Sequence, residues 1–401
     1  MTEWFPGNQH CHCPLDSWPG LRYDDGMTRT EKLLAELIAL PSVNPAFLPA
    51  DHPFAGEQRV GEFLAAVAAR AGLDVELQPV LPGRANILAR LTPSGKVRRR
   101  IALVPHLDTV VAEASQFAPR RQGGRLHGRG ACDTKGSVAT MLGALIELAA
   151  GGRRAADTEI VFAGVVDEEN WQAGSRALVE SGFRADLAIV GEPTRLAVVT
   201  AHKGTSWLEL TARGKAAHGA NPQLGKNAIL AMANIVAALE GDYAAGLRTR
   251  RHPLLGTATI NVGQIHGGTQ PNIVPAECRI KVDRRTLPGE TDTKVTRELT
   301  AFLRQRGLRA TVAETKAAGC PALETDPEQP LVRALMQCAG QTGPRGVDYF
   351  CDAAVLAAGG TPAVVFGPGD IAQAHTADEW VALGQLAKAQ RILVNFLRGV
   401  E

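Results

Sequence analysis

Seven residues able to bind metal or move protons follow or flank apolar runs in this chain of 401 residues. "ALVPHLD" ends at His106 and Asp108, "FAGVVDEE" at Glu168 and Glu169, and "LAIVGEP" runs into Glu192. "AVVFGPGD" leads to "QAHTADEW", which carries His375, and Asp133 lies in "GRGACDTKG" just before a helical pattern. Imidazole nitrogens and carboxylate oxygens make a donor set suited to zinc, cobalt or manganese. Two divalent ions bring a nominal charge of about +4, which gives acids a reason to gather despite their mutual repulsion. In two-metal hydrolytic sites the ions sit ~3.5–4 Å apart, a gap one carboxylate can bridge. Adjacent residues on an extended strand point to opposite sides. One of Glu168 and Glu169 can then bind metal while the other serves water as general base. Asp108, two residues after His106, is placed to accept the second ring proton and fix the tautomer. Taken singly, each residue fits a plain role: Asp133 as a helix cap, Asp108 as a loop cap, Glu192 as a solvated strand end, His375 as a surface histidine. Their joint placement is the informative feature.

Such a placement requires a sheet. In open parallel sheets ligands bind beyond the carboxyl ends of the strands, so residues far apart in sequence converge on one rim. Apolar residues recur at helical spacing from Thr30 to Leu40, where Pro41 stops the helix, and a second helix spans about residues 56–71. Strand-like "LDVELQPV", "NILARL" and "RRIALVPHLD" come next, then a helix over "KGSVATMLGALIELAA". "TEIVFAGVVDEE", a short helix "SRALVESG" and "ADLAIVGEPT" complete the series. Apolar runs alternating with helices predict a largely parallel sheet buried on both faces. From Val198 to about Val312 the pattern changes. "VVTAHKGTSWLELTARG" alternates like a half-buried strand, and the elements follow as β-α-β-β-α-β, the order of a ferredoxin-like unit. "DPEQPLVRALMQCAGQTG" and "TPAVVFGPGD" then resume the first style. The expected fold class is α/β: a largely parallel-sheet domain over residues 27–197 and 316–401, with a ferredoxin-like α+β domain inserted at 198–315.

Formal net charge is +2 with both signs interspersed, which offers no electrostatic footprint for nucleic acid or an anionic membrane. Hydrophobic and charged shares of 45% and 21% exclude a disordered or low-complexity chain. No apolar run reads as long enough to span a bilayer, and no signal peptide opens the chain. Seven scattered cysteines, an odd number, do not read as a disulfide framework and fit a reducing, cytoplasmic setting. Residues 1–26 stand apart. There "NQHCHCP" gathers His10, Cys11, His12 and Cys13, a donor set for a soft metal, but without periodicity around it. A disordered or mis-started extension ahead of Met27 is expected.

The signatures "HLDT", "GRGACDTKG", "DEEN", "GEPT", "GGTQPNIVP" and "AHTADEW", in that order, resemble those of the M20 family of co-catalytic metallo-amidohydrolases. That family includes acetylornithine deacetylase, succinyl-diaminopimelate desuccinylase and glutamate carboxypeptidase, and the resemblance runs from about Met27 to the C-terminus. It implies a di-metal hydrolase acting on a linear amide, that of a small-molecule N-acyl amino acid. "GEPTRLAVVTAHKG" and "GPGDIAQAHTADEW" look most like acetylornithine deacetylase-type members. A dipeptidase or carboxypeptidase of the same family, acting on a short peptide, is the alternative; a non-catalytic dimeric metal- or ligand-binding homologue is a further one. The resemblance implies two divalent ions, zinc first, with cobalt or manganese as alternatives. His106, Asp133 and Glu192 would hold one; Asp133, Glu169 and His375 would hold the other. Glu168 would be the general base and Asp108 the partner of His106. The inserted unit would be the dimerisation domain of a homodimer. His218, in "GKAAHGANPQLGKNA", matches a histidine that reaches the partner subunit's active site. Asn272 and Arg285 match positions near the substrate, Arg285 against a carboxylate. Two departures stand out: Gly219 follows His218 where the family often has serine, and nothing before Met27 matches.

Overall fold

The computed structural model describes residues 26–49, 51–152, 155–315 and 319–400, so the segment holding His10, Cys11, His12 and Cys13 lies outside the described residues. The first helix, Arg29–Ala39, opens on a reciprocal cap: the Thr28 hydroxyl accepts the Glu31 amide, and the Glu31 carboxylate accepts the Thr28 amide. Pro41 prevents its continuation.

One large sheet organises the chain. Its centre consists of Thr158–Gly164, Arg99–Pro105, Leu187–Gly191 and Ala363–Val365, hydrogen-bonded in that order and all parallel. Antiparallel strands Arg84–Leu91 and Asp74–Leu81 extend one side. Val199–His202 extends the other, flanked by antiparallel Leu323–Glu324 and parallel Arg345–Val347. Every residue of Thr158–Gly164 and Leu187–Gly191 is buried, as continuous apolar runs require when both faces are covered. Alternation decides what each side chain meets. Leu103, Phe162 and Ile189 face the helices Arg29–Ala39, Lys135–Ala150 and Leu383–Gly399. Val104, Val161 and Val190 face Ala173–Glu180 and Asp352–Ala358. Each such fully buried side chain contributes about 1.5–3 kcal/mol relative to exposure.

A second sheet has four antiparallel strands, in the order Thr259–Gly267, Glu277–Thr286, Gly204–Arg213 and Thr311–Glu314. Helices Ala228–Ala238 and Asp292–Gln305 cover it around Leu210, Ile280, Met232 and Leu299. The single half-buried strand expected at the start of this unit is two strands. Val199–His202 belongs to the large sheet and is buried throughout, so the change of sheet falls at Lys203 rather than Val198. Gly204 marks the crossing: a Cβ there would stand 2.5 Å from the Cys320 carbonyl oxygen and the Ala322 nitrogen, where the returning chain presses close.

The sequence expectation that no apolar run could span a bilayer needs one correction. The helical run Ala228–Arg248 is long and apolar enough by length and composition. In this fold it lies along the four-stranded sheet, with Met232, Ile235, Leu239 and Leu247 buried against it. Two features went unforeseen: the final helix Leu383–Gly399, and a three-stranded sheet of Trp380–Ala382, Arg125–His127 and Arg120–Gln122.

Candidate metal centre

The parallel strands end on one rim, where the titratable residues collect. His106 follows Arg99–Pro105 and is bridged to Val165, one residue past Thr158–Gly164. Glu192 follows Leu187–Gly191. Asp133 stands two residues ahead of helix Lys135–Ala150, and His375, with a φ of 61°, sits in the loop beyond Ala363–Val365.

Asp133 lies between the two imidazoles. His106 Nε2 is 3.0 Å from its Oδ1, and His375 Nε2 is 3.2 Å from its Oδ2. His375 Nε2 also reaches Glu169 at 3.2 Å, while His106 Nε2 is 3.9 Å from Glu192. Ligand atoms of His106, Glu168 and Glu192 lie within 4.8 Å of one another, as do those of His106, Asp133 and Glu169. These trios share His106, whereas the sets implied by the resemblance share Asp133; Glu168 enters one trio and His375 neither. The six residues nonetheless form one cluster of nitrogen and oxygen donors, chemically able to hold divalent metal.

Charge is balanced within the cluster. Burial works against the His106 imidazolium, but hydrogen bonds to Asp108 and Asp133 raise its pKa well above the usual value. Hydrogen bonds to Asp133 and Glu169 raise His375 to about 10. Asp133 is held below the ordinary carboxylate range, because both imidazoles outweigh its burial. Glu168 is pushed well above that range, by burial and then by the charge of Glu192. Glu192 is raised by burial, against the pull of His106. Burial thus favours the protonated form of both carboxyls over the charged one.

Asp108 does more than partner His106. His106 Nδ1 is 3.0 Å from the Asp108 carbonyl oxygen but 3.5 Å from its carboxylate, so the backbone is the nearer acceptor. The carboxylate accepts the backbone amides of Glu168 and Glu169, both at 3.0 Å, and the Asn44 side-chain amide at 2.8 Å. Glu168 and Glu169 accordingly lie in a turn rather than on an extended strand, which ends at Gly164, and Asp167 takes a φ of 70°. Two consecutive amides directed at one carboxylate are incompatible with the alternation of a pleated strand.

A buried ionic layer backs Asp108. Asn44 also donates to Asp167 at 3.0 Å; Arg84 reaches Asp167 at 3.0 Å and Glu57 at 2.6 Å; Glu57 accepts the Asp167 amide at 3.1 Å. Asp352, at the head of a short helix, is buried with its carboxylate on the Ser175 hydroxyl, and burial raises its pKa to about 6. Sequence reasoning missed Asn44, Glu57, Arg84 and Asp352. Only "FCDAAV", an acid before an apolar helix, carried any signal, and it reads as a cap.

The remaining expected residues lie on the four-stranded unit. His218 and Asn272 are exposed on adjoining loops, joined where the Gly219 amide donates to the Asn272 carbonyl at 2.7 Å. A Cβ at Gly219 would stand 2.9 Å from that carbonyl, so this close approach goes with glycine in place of serine. Among the described residues no hydrogen bond or ion pair links His218 or Asn272 to the cluster. Arg285 donates to Asp283 at 3.1 Å and lies 5.3 Å over the ring of Phe350, two residues before Asp352.

A parallel-centred α/β sheet carrying imidazoles and carboxylates on its rim is an architecture able to hold divalent metal for hydrolytic chemistry. Comparison with known proteins agrees. Residues 102–399 match the profile of peptidase family M20/M25/M40. Acetylornithine deacetylase of Myxococcus xanthus is 34% identical over 342 residues, 81% of this chain and 87% of that protein. Its namesake from Edwardsiella ictaluri is 31% identical over 380 residues, 91% of this chain and 96% of that protein. Among solved structures, aminopeptidase PepT of Bacillus cereus superposes with a TM-score of 0.74 at 22% identity, covering 93% of this chain and 98% of its own. A dinuclear metal binding peptidase of the M20 family from Bacillus subtilis gives 0.68 at 15% identity, covering 93% and 97%. At these identities the structural likeness concerns the fold. The chain belongs to peptidase family M20/M25/M40, and it is a hydrolase of that family.

Proposed function

We propose that this chain hydrolyses the amide of an N-acyl amino acid, in the manner its acetylornithine deacetylase relatives are named for. The observation that carries the reading is Asp133, with one carboxylate oxygen on each imidazole and Glu168 in the same cluster. His106, Asp133 and Glu192 would hold one divalent ion, and Asp133, Glu169 and His375 the other, zinc first and cobalt or manganese as alternatives. Such ions supply Lewis acidity to an amide carbonyl and lower the pKa of water toward roughly 7. Glu168 takes the proton of the attacking water and delivers it to the departing amine nitrogen. Arg285 pairs with the substrate carboxylate, exchanging its present partner Asp283, and Asn272 assists in binding. His218 donates a hydrogen bond to the developing oxyanion in the partner subunit's site. Release of free amine, read by mass, tests the reaction on N-acetyl-ornithine, N-succinyl-diaminopimelate, other N-acyl amino acids and dipeptides. Activity confined to dipeptides overturns the deacylase reading in favour of a peptidase; a protein that binds metal yet cleaves nothing is the non-catalytic homologue.

Metal uptake carries its own prediction. His375 holds its proton up to about pH 10, whereas a metal-bound imidazole must be neutral. Uptake at pH 7.5 is therefore expected to release protons, and apparent affinity to rise with pH toward that value. Calorimetry of Zn2+ binding in two buffers of different ionisation enthalpy measures the release, and equal heats in both would contradict it.

The four-stranded unit is the proposed site of homodimerisation. Its outer strand Thr259–Gly267 pairs with no further strand among the described residues, and Leu224, Leu230 and Ile265 are 63%, 63% and 54% exposed. An exposed edge beside apolar side chains favours self-association. Sedimentation is expected to give a dimer, and the Leu230→Glu, Ile265→Asp double variant a monomer; a dimer in both places the interface elsewhere. Cys132, Cys278, Cys338 and Cys351 are free thiols, which supports a reducing cytoplasmic setting.

A further inference from the structure

Glu379 is the most heavily engaged acid near the cluster, although it touches no imidazole. Its carboxylate is buried and accepts the backbone amides of Gly130 at 3.0 Å, Cys132 at 2.8 Å and Asp133 at 3.0 Å. The Arg129 guanidinium adds a fourth donor at 2.6 Å, and the Glu379 carbonyl oxygen accepts the Gly128 amide at 2.9 Å. Three amides of residues 130–133 thus converge on one anion, a small nest of backbone donors. Gly128 and Gly130 make the curl possible, with φ of 148° and 82°. Immediately after Glu379, Trp380–Ala382 pairs with Arg125–His127, so the loops bearing Asp133 and His375 enter and leave through one small sheet. Glu379 is four residues from His375 and one hydrogen bond from the Asp133 backbone.

We propose that Glu379 is a positioning residue: its carboxylate locks the Asp133 loop to the His375 loop and so sets the Asp133 carboxylate between the two imidazoles. The inference rests on the metal-centre reading above. No other side chain among the described residues bonds to the amides of Gly130, Cys132 and Asp133, and a carboxylate is suited to the task because it accepts at both oxygens and donates at neither. Glutamine offers one accepting oxygen and turns an N–H toward these donors, so the loop must shift although volume is conserved.

The test uses the full chain stripped of metal and titrated with Co2+ alone, whose visible absorption reports ligand geometry. For Glu379→Gln, Co2+ affinity is expected to fall roughly 10–100-fold, with a changed visible spectrum and a fall in kcat that exceeds any change in KM. A purely structural role would lower thermal stability while leaving the Co2+ spectrum of the folded protein as it was. Should that variant not fold, Glu379→Asp keeps the charge but withdraws the oxygens by one methylene, and the same losses are expected. Unchanged affinity and spectrum in the folded variant overturn the inference alone. An unsubstituted protein that takes up no Co2+ overturns the metal reading and the inference with it.

Discussion

Glutamine at position 168 is expected to lower kcat for amide hydrolysis roughly 10^2–10^4-fold while leaving bound metal unchanged. The substitution keeps volume and shape, and the Glu168 backbone amide would still donate to Asp108, so the turn should persist. What disappears is a carboxyl whose pKa burial and the charge of Glu192 lift well above the usual range. A raised pKa makes Glu168 a better acceptor for a proton from water, which it can pass on to the departing amine. KM should move little, because Glu168 acts on the proton rather than on the substrate's binding groups. Steady-state kinetics alongside metal content by atomic absorption decide the matter. Loss of metal together with turnover would make Glu168 a ligand, as its place beside His106 and Glu192 permits; full metal with full activity would remove it from the mechanism.

The second large effect concerns stability. Arg84→Met is expected to cost about 3–5 kcal/mol, the scale for stranding one side of a buried ion pair. Arg84 faces two carboxylates, and side-chain exposures of 10% for Arg84, 1% for Glu57 and 2% for Asp167 leave little water to replace it. Methionine fills similar space without charge. The loss should depend on pH with a definite sign. Burial already raises the Glu57 pKa against the pull of Arg84, and removing Arg84 raises it further. An acid whose folded pKa exceeds its unfolded value costs stability once the pH rises above the unfolded value. The variant should therefore be least impaired near pH 5 and most impaired near pH 8, read as urea midpoints at both. Equal midpoints for variant and parent would mean that this layer contributes nothing.

These two residues also mark how far the sequence could be read. Glu168 was legible because it ends an apolar run among other acids, and strand ends of a parallel sheet share a rim. The same logic places His106, Glu169, Glu192 and His375 on that rim. It misread the backbone around Glu168, because the turn depends on Asp108, 60 residues earlier, taking two amides at once. Arg84 was invisible for a related reason. Its partners come from Glu57 and from Asp167, across separate elements, and nothing local distinguishes it from an ordinary surface arginine. Periodicity likewise found the helix over Lys135–Ala150 but read straight through Lys203, because a strand that changes sheets keeps its apolar rhythm.

That change of sheets has a mechanical corollary. The chain leaves the large sheet after His202 and returns at Leu323, and those two residues are hydrogen-bonded neighbours. Two threads join the excursion there, braced by Arg285 over the Phe350 ring and by Arg176 donating to the Gly319 carbonyl at 3.1 Å, while His106, Asp133, Glu169, Glu192 and His375 all stand on the large-sheet side. Because the chain leaves and re-enters at neighbouring positions, the excursion can change in length without altering the spacing of His106, Asp133 and His375.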